Sequence, residues 1–437
     1  MVKLATKLGV LTLLSSTAVV SAHALTLSET LTKVYTENPV IAKSWQTVEQ
    51  QKAALTQARA DFIPDVTGVG SYADRTLDRT GADEETHTRQ LGVQARQSLF
   101  HGGSVVYGWR AAKMGVQSAS AAHEGTTQSV LLESIQSYIN LITAQNVENV
   151  QRNQVKLLQE QLNATTARFK QGEVTKTDVK QSEARLASAK ADYVQAQGDR
   201  QVAQATLDRL LGEPAENLSW PTLSLALPDS MESALDVAMN THPDVLAALA
   251  KVTQTRYQKV KAQGSYFPQI DAVASSMNVD TDETKGYRDN SFGVEMTWQL
   301  FTGGAVKGAV DSAVAAKASA EEDYEQARRT VKENLTQAYH NHATSLAVLE
   351  SREAEEKAAA LAEEGVAKEN KLGERTVLDL LDARQELLQA RVNRIRAKGT
   401  VLTTAYALRA AMGNLSDEVN VADNVDAGAG ATEEMTN

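Results

Sequence analysis

The sequence predicts an α+β membrane protein in which long α-helical hairpins continue a β-barrel that several subunits share. Three observations carry this prediction. Short stretches alternate apolar and polar residues, as half-buried strands do. Other stretches are rich in Ala, Gln, Glu and Leu and run for more than 60 residues without proline. The whole arrangement then occurs a second time further along the chain, which indicates an internal duplication.

Composition limits the classes of function. The chain has 437 residues, a net charge of −11, 42% hydrophobic but only 5% aromatic residues, and no cysteine. The absence of cysteine rules out disulfides, thiol catalysis, cysteine metal sites and a lipidated N-terminal Cys. Because no basic run stands out in this acidic chain, no nucleic-acid partner is predicted.

Residues 1–24 have the pattern of a secretory signal peptide. Lys3 and Lys7 form a positive start, residues 8–20 are apolar, and residues 22–24 (Ala-His-Ala) give a small-x-small cleavage site. The alternative is an N-terminal membrane anchor, but the apolar stretch is shorter than the roughly 20 residues that a spanning helix needs. The mature chain is therefore predicted to begin near Leu25, outside the cytoplasm.

The first repeat covers residues 25–212. A helix is interrupted at Asn38-Pro39, because proline disfavours helical backbone in the residue before it, and a second helix runs to about Asp61. A strand pair follows over residues 64–99: a weak strand at 66–77, an acidic loop predicted at 78–88, and a well-patterned strand at 89–99.

A long helical hairpin is predicted over residues 103–212. No proline occurs from Gly103 to Phe169, and a helix of that length extends about 100 Å at 1.5 Å per residue. Residues 170–173 break it, and residues 174–211 return as a second helix, closed by Gly212. Two such helices joined by a tight turn form a hairpin with a coiled-coil-like seam.

The pattern restarts after a proline-rich connector at residues 213–230. The second repeat covers residues 231–415, with a strand pair at 268–300, interrupted by a predicted acidic loop at 280–290, and a helical hairpin at 304–413. Both strand pairs end in Leu-Phe-x-Gly-Gly, which predicts strand-to-helix turns at Gly102, Gly103, Gly303 and Gly304. Residues 416–437 are acidic and rich in small residues, and are predicted to be disordered.

The last predicted strand has the clearest two-residue period. Its apolar members are Phe292, Val294, Met296, Trp298 and Leu300, and the residues between them are polar or glycine. The apolar set is predicted to face lipid and the polar set to line a lumen. A soluble β-hairpin packed on helices is the alternative, and the alternation by itself leaves it open.

Four strands cannot close a barrel. In lipid every backbone polar group must be paired, and the smallest closed barrels have eight strands, so subunits must share one barrel. A dimer would supply eight strands and a trimer twelve, with room for a lumen in the latter. The long helices fit a hollow cylinder around a water-filled bore. A solid coiled coil would instead place Leu or Ile at most seam positions, where this chain has many Ala.

These motifs together resemble the TolC family of outer-membrane channels. The resemblance rests on the signal peptide, the duplicated Asn/His-Pro and Phe-x-Pro/Phe-Pro motifs, the two Leu-Phe-x-Gly-Gly turns and the run Gly-Glu-Arg-Thr-Val-Leu-Asp-Leu-Leu-Asp at residues 373–382. It covers residues 25–415. It implies a homotrimer with a twelve-stranded barrel in the outer membrane and a helical tunnel in the periplasm. It further implies an exit duct for type I secretion or tripartite efflux, working with a periplasmic adaptor and an inner-membrane ABC or proton-driven transporter.

The resemblance also assigns residues at the periplasmic end. Asp379 and Asp382 match a constriction, Arg375 and Asp178 match a latch of the closed state, and Asn370 stands where a latch tyrosine is expected. Residues three apart share a helix face, so threefold symmetry would crowd six carboxylates around the axis, attract cations and raise some carboxyl pKa values. An ordinary solvated helix face is the alternative reading of the two aspartates.

Two other classes of function are weighed against the duct. A periplasmic coiled-coil adaptor without a pore also carries a helical hairpin, but normally one, flanked by β-domains. An enzyme is not predicted, and neither is a cofactor or metal: the sequence has no Gly-rich phosphate loop and no HExxH, and His340 and His342 diverge on a helix. The acidic loops and tail leave the cargo open between secreted proteins and drugs.

Overall fold

The computed structural model describes residues 25–79, 82–221, 228, 230–281 and 286–416. The predicted signal peptide, the tail after Ser416 and most of the second half of the connector lie outside the described residues. None of the described helices has an apolar stretch long enough to cross a membrane.

The two repeats have the same order of elements. The first contains α1 (Leu27–Glu37), α2 (Pro39–Ala60), β1 (Asp65–Arg79), β2 (Ala82–His101), α3 (Ser104–Lys170) and α4 (Lys176–Leu211). The second contains α5 (Met231–Thr241), α6 (Pro243–Gln263), a 3₁₀ turn (Gly264–Tyr266), β3 (Gln269–Thr281), β4 (Tyr287–Thr297), α7 (Ala305–Leu372) and α8 (Val377–Ala411). The duplication read from the sequence is therefore present in the fold.

The dipeptides Asn38-Pro39 and His242-Pro243 each form the junction between two consecutive helices. The Asn38 side chain accepts a hydrogen bond from the Val40 N–H at 2.9 Å, and His242 Nδ1 accepts one from the Asp244 N–H at 3.2 Å. Each residue ends one helix and caps the next, while the proline occupies the first helical position, where its missing N–H costs nothing.

Two very long helices set the length of the subunit. Helix α3 has 67 residues and α7 has 68, so each extends about 100 Å. Near the strands α3 packs between α2 and α6, and beyond them it packs against α4 and α8, while α7 packs on α6 and α8. The main core lies about midway, where buried side chains of α1, α3, α4 and α8 meet, among them Leu131, Tyr138, Leu207 and Leu402.

The four strands form one antiparallel sheet in the order β1-β2-β3-β4. Pairing of β2 with β3 joins the two repeats, from Thr88↔Thr281 to His101↔Gln269. Strands β1 and β4 each have a neighbour on one side only within the described chain. The subunit therefore presents two open edges, which are templates for pairing with other chains.

The strands are longer at their outer ends than the sequence indicated. The pairing of β1 with β2 continues to Arg79↔Ala82, and β3 runs to Thr281, so most of the loop predicted at 78–88 and part of that at 280–290 are strand. Polar side chains do not prevent antiparallel pairing, because the backbone supplies the ladder and both faces can meet water there.

The last strand is shorter than predicted at its inner end. Strand β4 ends at Thr297, which pairs with Gln269, the first residue of β3. The residue before Gln269 is Pro268, which has no N–H to donate, so the ladder stops there. Trp298 and Leu300 consequently lie beyond the strand rather than within it, which corrects the predicted strand end at residue 300.

Candidate functional site

One face of the sheet is apolar and exposed. The register places Val66, Tyr72, Leu91, Val93, Phe292, Val294 and Met296 on this face, and each is between 53% and 83% exposed. Soluble monomers rarely expose a contiguous apolar surface of this kind. Of the predicted lipid-facing residues, Phe292, Val294 and Met296 lie together on this face of β4. Trp298 and Leu300 follow the end of the strand at Thr297.

A group of exposed apolar residues lies where the strands meet the helices. We call it the apolar belt; its members are Phe62, Ile63, Leu99, Phe100, Tyr266, Phe267, Trp298, Leu300 and Phe301. Trp298 is anchored by its Nε1–H, which donates to the Tyr266 carbonyl at 3.2 Å. Aromatic residues that combine an apolar ring with a polar group favour the boundary between lipid and water.

The opposite face of the sheet is polar and internally paired. Arg96 on β2 reaches Asp271 on β3 and Glu295 on β4, each at 2.9 Å, and His101 Nε2 lies 2.8 Å from Asp271 Oδ1. Arg96, His101 and Asp271 border a cavity of about 560 Å³ between the strands and the ends of α2, α3 and α6. The alternation in the last predicted strand indicates that Glu295 faces a lumen, and the register places Arg96 on the same face. Their joint contact with β3 depends on strand order, which the sequence did not predict.

The predicted glycine turns are left-handed. The φ angles are 59° and 81° at Gly102 and Gly103, and 62° and 92° at Gly303 and Gly304. Only glycine adopts this region without a steric penalty. Gly102 has a second reason: a Cβ there would lie 2.2 Å from the Gly264 carbonyl oxygen. The turns redirect each strand pair into its long helix.

At the far end of the hairpins, Asp379 forms a capping box with Thr376, the N-cap residue of helix α8. Its Oδ2 accepts hydrogen bonds from the Thr376 N–H at 2.9 Å and from the Thr376 hydroxyl at 2.7 Å, and its own N–H donates back to that hydroxyl at 3.1 Å. These bonds to Thr376, with the nearby charge of Arg375, hold the Asp379 pKa below its ordinary value. Within the subunit they oppose the rise expected from a ring of carboxylates.

The second predicted constriction residue, Asp382, pairs with an arginine of the other hairpin. Its Oδ1 lies 2.5 Å from Arg185 Nη2, which joins α8 to α4. The two side chains are 41% (Arg185) and 52% (Asp382) exposed, so the pair is accessible to water. The sequence analysis missed Arg185, because no spacing in one helix shows which face of α4 meets α8.

The predicted latch residues are engaged within their own hairpins. Asp178 accepts from the Thr175 N–H at 2.8 Å, and Arg375 Nε donates to Glu369 at 3.0 Å. In the described part of the chain Asp178 and Arg375 do not pair with each other, so the latch stays a prediction. Asn370, which stands in place of the expected tyrosine, is 7% exposed, and its side chain donates to the Arg375 carbonyl at 2.9 Å. This hydrogen bond stabilises the turn between α7 and α8.

Comparison with known proteins agrees with this architecture. The family model described as outer membrane efflux protein matches residues 31–213 and 234–414, which are nearly the whole of both repeats. The chain is 27% identical over 409 residues to the outer membrane efflux protein BepC of Brucella suis, covering 92% of this chain and 89% of that protein. It is 24% identical to the outer membrane protein TolC of Escherichia coli, covering 90% of this chain and 84% of that protein.

A solved structure shows the same fold. The Campylobacter jejuni CmeC outer membrane channel superposes with a TM-score of 0.81 at 20% identity, covering 89% of this chain and 86% of that chain. The predicted fold class is confirmed: the chain has the fold of the TolC-like channels, with a four-stranded antiparallel sheet continued by long helical hairpins. The chain belongs to the outer membrane efflux protein family, the TolC family, and its location is the outer membrane.

Proposed function

We propose that three copies of this chain form a duct that passively conducts cargo across the periplasm and the outer membrane. The observation that carries the proposal is the sheet with one exposed apolar face and two open edges, continued directly by helices about 100 Å long. The apolar face would meet lipid, and the polar face with Arg96 would line the bore.

Closure follows from the two open edges. If β4 of one subunit pairs with β1 of the next, three subunits give twelve strands and leave no edge in the lipid. The exposed apolar residues of β4, including Phe292 and Met296, then lie on the outer surface. Such a barrel has a lumen wider than an eight-stranded one, whose side chains nearly fill it.

The periplasmic end supplies the constriction in this proposal. Three copies of Asp379 and Asp382 would surround the axis near the hairpin turns, and the latch would pair Arg375 with Asp178 on the other hairpin. Partners at this end are a periplasmic adaptor and an inner-membrane ABC or proton-driven transporter. The cargo is a secreted protein or a small molecule, and the duct itself carries out no chemistry.

The exposed apolar face of the sheet argues against the alternative, a periplasmic adaptor without a barrel. A periplasmic protein without a barrel would leave Leu91, Val93, Phe292 and Val294 in water, at roughly 25 cal/mol for each Å² of apolar area. Two strand pairs and two hairpins also exceed what one adaptor hairpin requires.

Extraction and assembly test the proposal. The protein should need detergent for release from membranes and should run as an SDS-resistant trimer. The variant Phe292→Asp/Val294→Asp should lose membrane insertion, since charges on a lipid-facing strand cost about 2–4 kcal/mol near the bilayer midplane. Ser291→Asp, on the lumen face of the same strand, is the control and should assemble. A chain released by salt alone as a monomer would contradict the duct.

A further inference from the structure

A group of cations and aromatic rings lies on α3 and the adjacent side of α6, immediately beyond the apolar belt. We propose that Arg110 and Lys113, with the rings of Tyr107, Trp109 and Tyr257, bind the phosphate headgroup of an anionic phospholipid in the periplasmic leaflet. The inference rests on the proposed membrane position of the belt and names a lipid partner that this position does not by itself require.

The cations are held against aromatic rings. The Arg110 guanidinium carbon is 5.4 Å from the centre of the Tyr107 ring and 6.0 Å from that of Tyr257, and Lys113 Nζ is 5.9 Å from that of Trp109. Both cations are exposed. Neither forms an ion pair with a carboxylate in the described chain. Their positive charge is therefore available to an external anion.

The position of these residues around α3 places them on the outer wall. A Cβ at Gly108 would lie 3.5 Å from Lys261 Nζ, and Lys261 borders the cavity next to Arg96 on the lumen face of the sheet. At about 100° per residue, Arg110 and Lys113 lie roughly 200° and 140° around the helix from Gly108. They consequently face away from the lumen.

Their long side chains are within reach of a headgroup layer. Helix α3 begins at Ser104, three residues after β2 ends, so Arg110 and Lys113 lie about 9 and 14 Å along its axis. Phe100 of the apolar belt marks the lipid side of this junction. Polar headgroups occupy about 5–8 Å beyond the hydrocarbon on each side, and long cationic side chains extend along a surface to reach them.

The duplication provides an internal comparison. At the equivalent positions α7 carries Gly308, Val310, Asp311 and Val314 in place of Tyr107, Trp109, Arg110 and Lys113. Asp311 is neutralised by Lys307 at 2.7 Å. The second repeat therefore builds a helix of the same length without cations equivalent to Arg110 and Lys113.

The chemistry selects an anionic lipid. A guanidinium and an ammonium together bind phosphate, and each basic residue near an anionic surface adds attraction. Tyrosine and tryptophan suit the boundary where a headgroup joins its acyl chains, and the belt next to them offers an apolar surface to those chains. A trimer would carry three such sites, one for each α3.

Native mass spectrometry of the detergent-purified trimer with added phosphatidylglycerol tests the inference. The parent should retain up to three lipids per trimer, and Arg110→Gln/Lys113→Gln should lower retention by about tenfold or more. Lys307→Gln/Lys317→Gln removes two cations that already pair with carboxylates on α7 and should retain lipid like the parent. The exchange Arg110→Lys/Lys113→Arg keeps both charges and should retain it too.

Other results would overturn the inference. Equal retention by the parent and the Gln variant, or equal retention of phosphatidylcholine, would show that the cluster does not select an anionic lipid. Displacement by millimolar inorganic phosphate would identify free phosphate as the ligand instead. Failure of the parent to form a trimer is read from the same spectra and would contradict the proposed function, not this site alone.

Discussion

Arg185 and Asp382 form an ion pair that joins the two hairpins near their turns, with Arg185 Nη2 2.5 Å from Asp382 Oδ1. The pair brings a positive charge to the place where a ring of carboxylates is proposed. The other carboxylate, that of Asp379, accepts a hydrogen bond from the Thr376 hydroxyl at the start of α8. In this chain the proposed constriction is therefore an aspartate ring in which one carboxylate of each subunit is balanced by an arginine.

Removing Arg185 should increase cation selectivity. In Arg185→Gln the Asp382 carboxylate is no longer balanced, so the reversal potential under a KCl gradient should shift towards that of K⁺. Asp382→Asn should shift it the other way. Arg209→Gln is the control, since Arg209 pairs with Glu133 elsewhere on α4 at 2.6 Å and should leave selectivity unchanged.

The same substitution should loosen the two hairpins only slightly. An exposed pair contributes about 0.2–1 kcal/mol, a size that an adaptor or transporter could overcome on docking. If Arg185→Gln and the parent show the same reversal potential, Arg185 has no part in the selectivity of the constriction.

The junction residue His242 should make stability depend on pH. Burial lowers the His242 pKa from its ordinary value of 6.5, while Asp244 acts in the opposite direction. A lowered pKa means that the unfolded chain binds the proton more readily, so stability present above pH 6.5 is lost as the pH falls through the folded-state pKa. Burial lowers the His342 pKa too, with the same sign.

Asparagine is the matched replacement for His242, because Asn38 caps the equivalent helix in the first repeat. Thermal unfolding of His242→Asn should show a smaller loss of stability between pH 7 and pH 5 than the parent, with the remaining loss assigned to His342. An unchanged pH dependence would show that the His242 ring does not titrate as its burial requires.

The equivalent turn glycines should differ in their tolerance of alanine. Both Gly102 and Gly303 have positive φ, and a Cβ there costs about 1–2 kcal/mol. At Gly102 the Cβ would also meet the Gly264 carbonyl at 2.2 Å, whereas at Gly303 nothing lies within 4 Å. Gly102→Ala should therefore destabilise the solubilised trimer more than Gly303→Ala in thermal unfolding. Equal losses would contradict the close approach.

Removing a buried carboxylate should lower the free energy of unfolding more than removing an exposed carboxylate of the same hairpin. Glu148 is buried between α3 and α4 and pairs with Arg152 at 2.8 Å and Arg200 at 2.7 Å. Glu148→Ala removes both charge-assisted contacts and should cost about 1.5–3 kcal/mol, since the two arginines that remain are partly exposed to water. Glu133→Ala removes the exposed partner of Arg209 and should cost about 1 kcal/mol or less. Similar unfolding temperatures for the two variants would contradict this.

How much the sequence revealed depended on whether a feature is local or repeated. Alternation placed Phe292, Val294 and Met296 on one face, because strand faces follow directly from a period of two. The duplication gave the element order twice. The Thr376-x-x-Asp379 spacing could have indicated the capping box, since it is a local pattern. Arg185 could not be found this way, because its partner is 197 residues away and depends on helix packing.

The ends of the strands could not be predicted from local composition either. Acidic composition at residues 78–88 suggested a loop, yet backbone pairing continues through most of it, since the ladder does not depend on side-chain polarity. The early end of β4 follows from Pro268, which immediately precedes the neighbouring strand β3. The end of β4 can be predicted only when the register between β3 and β4 is known.

The central claim is tested most directly by single-channel conductance of the purified mature protein in a planar bilayer. We expect small, cation-selective steps from the parent, and weaker cation selectivity from Asp379→Asn/Asp382→Asn. Steps of unchanged selectivity would place the narrowest point elsewhere in the duct. No conductance from a correctly folded trimer would contradict the account of this chain as a channel.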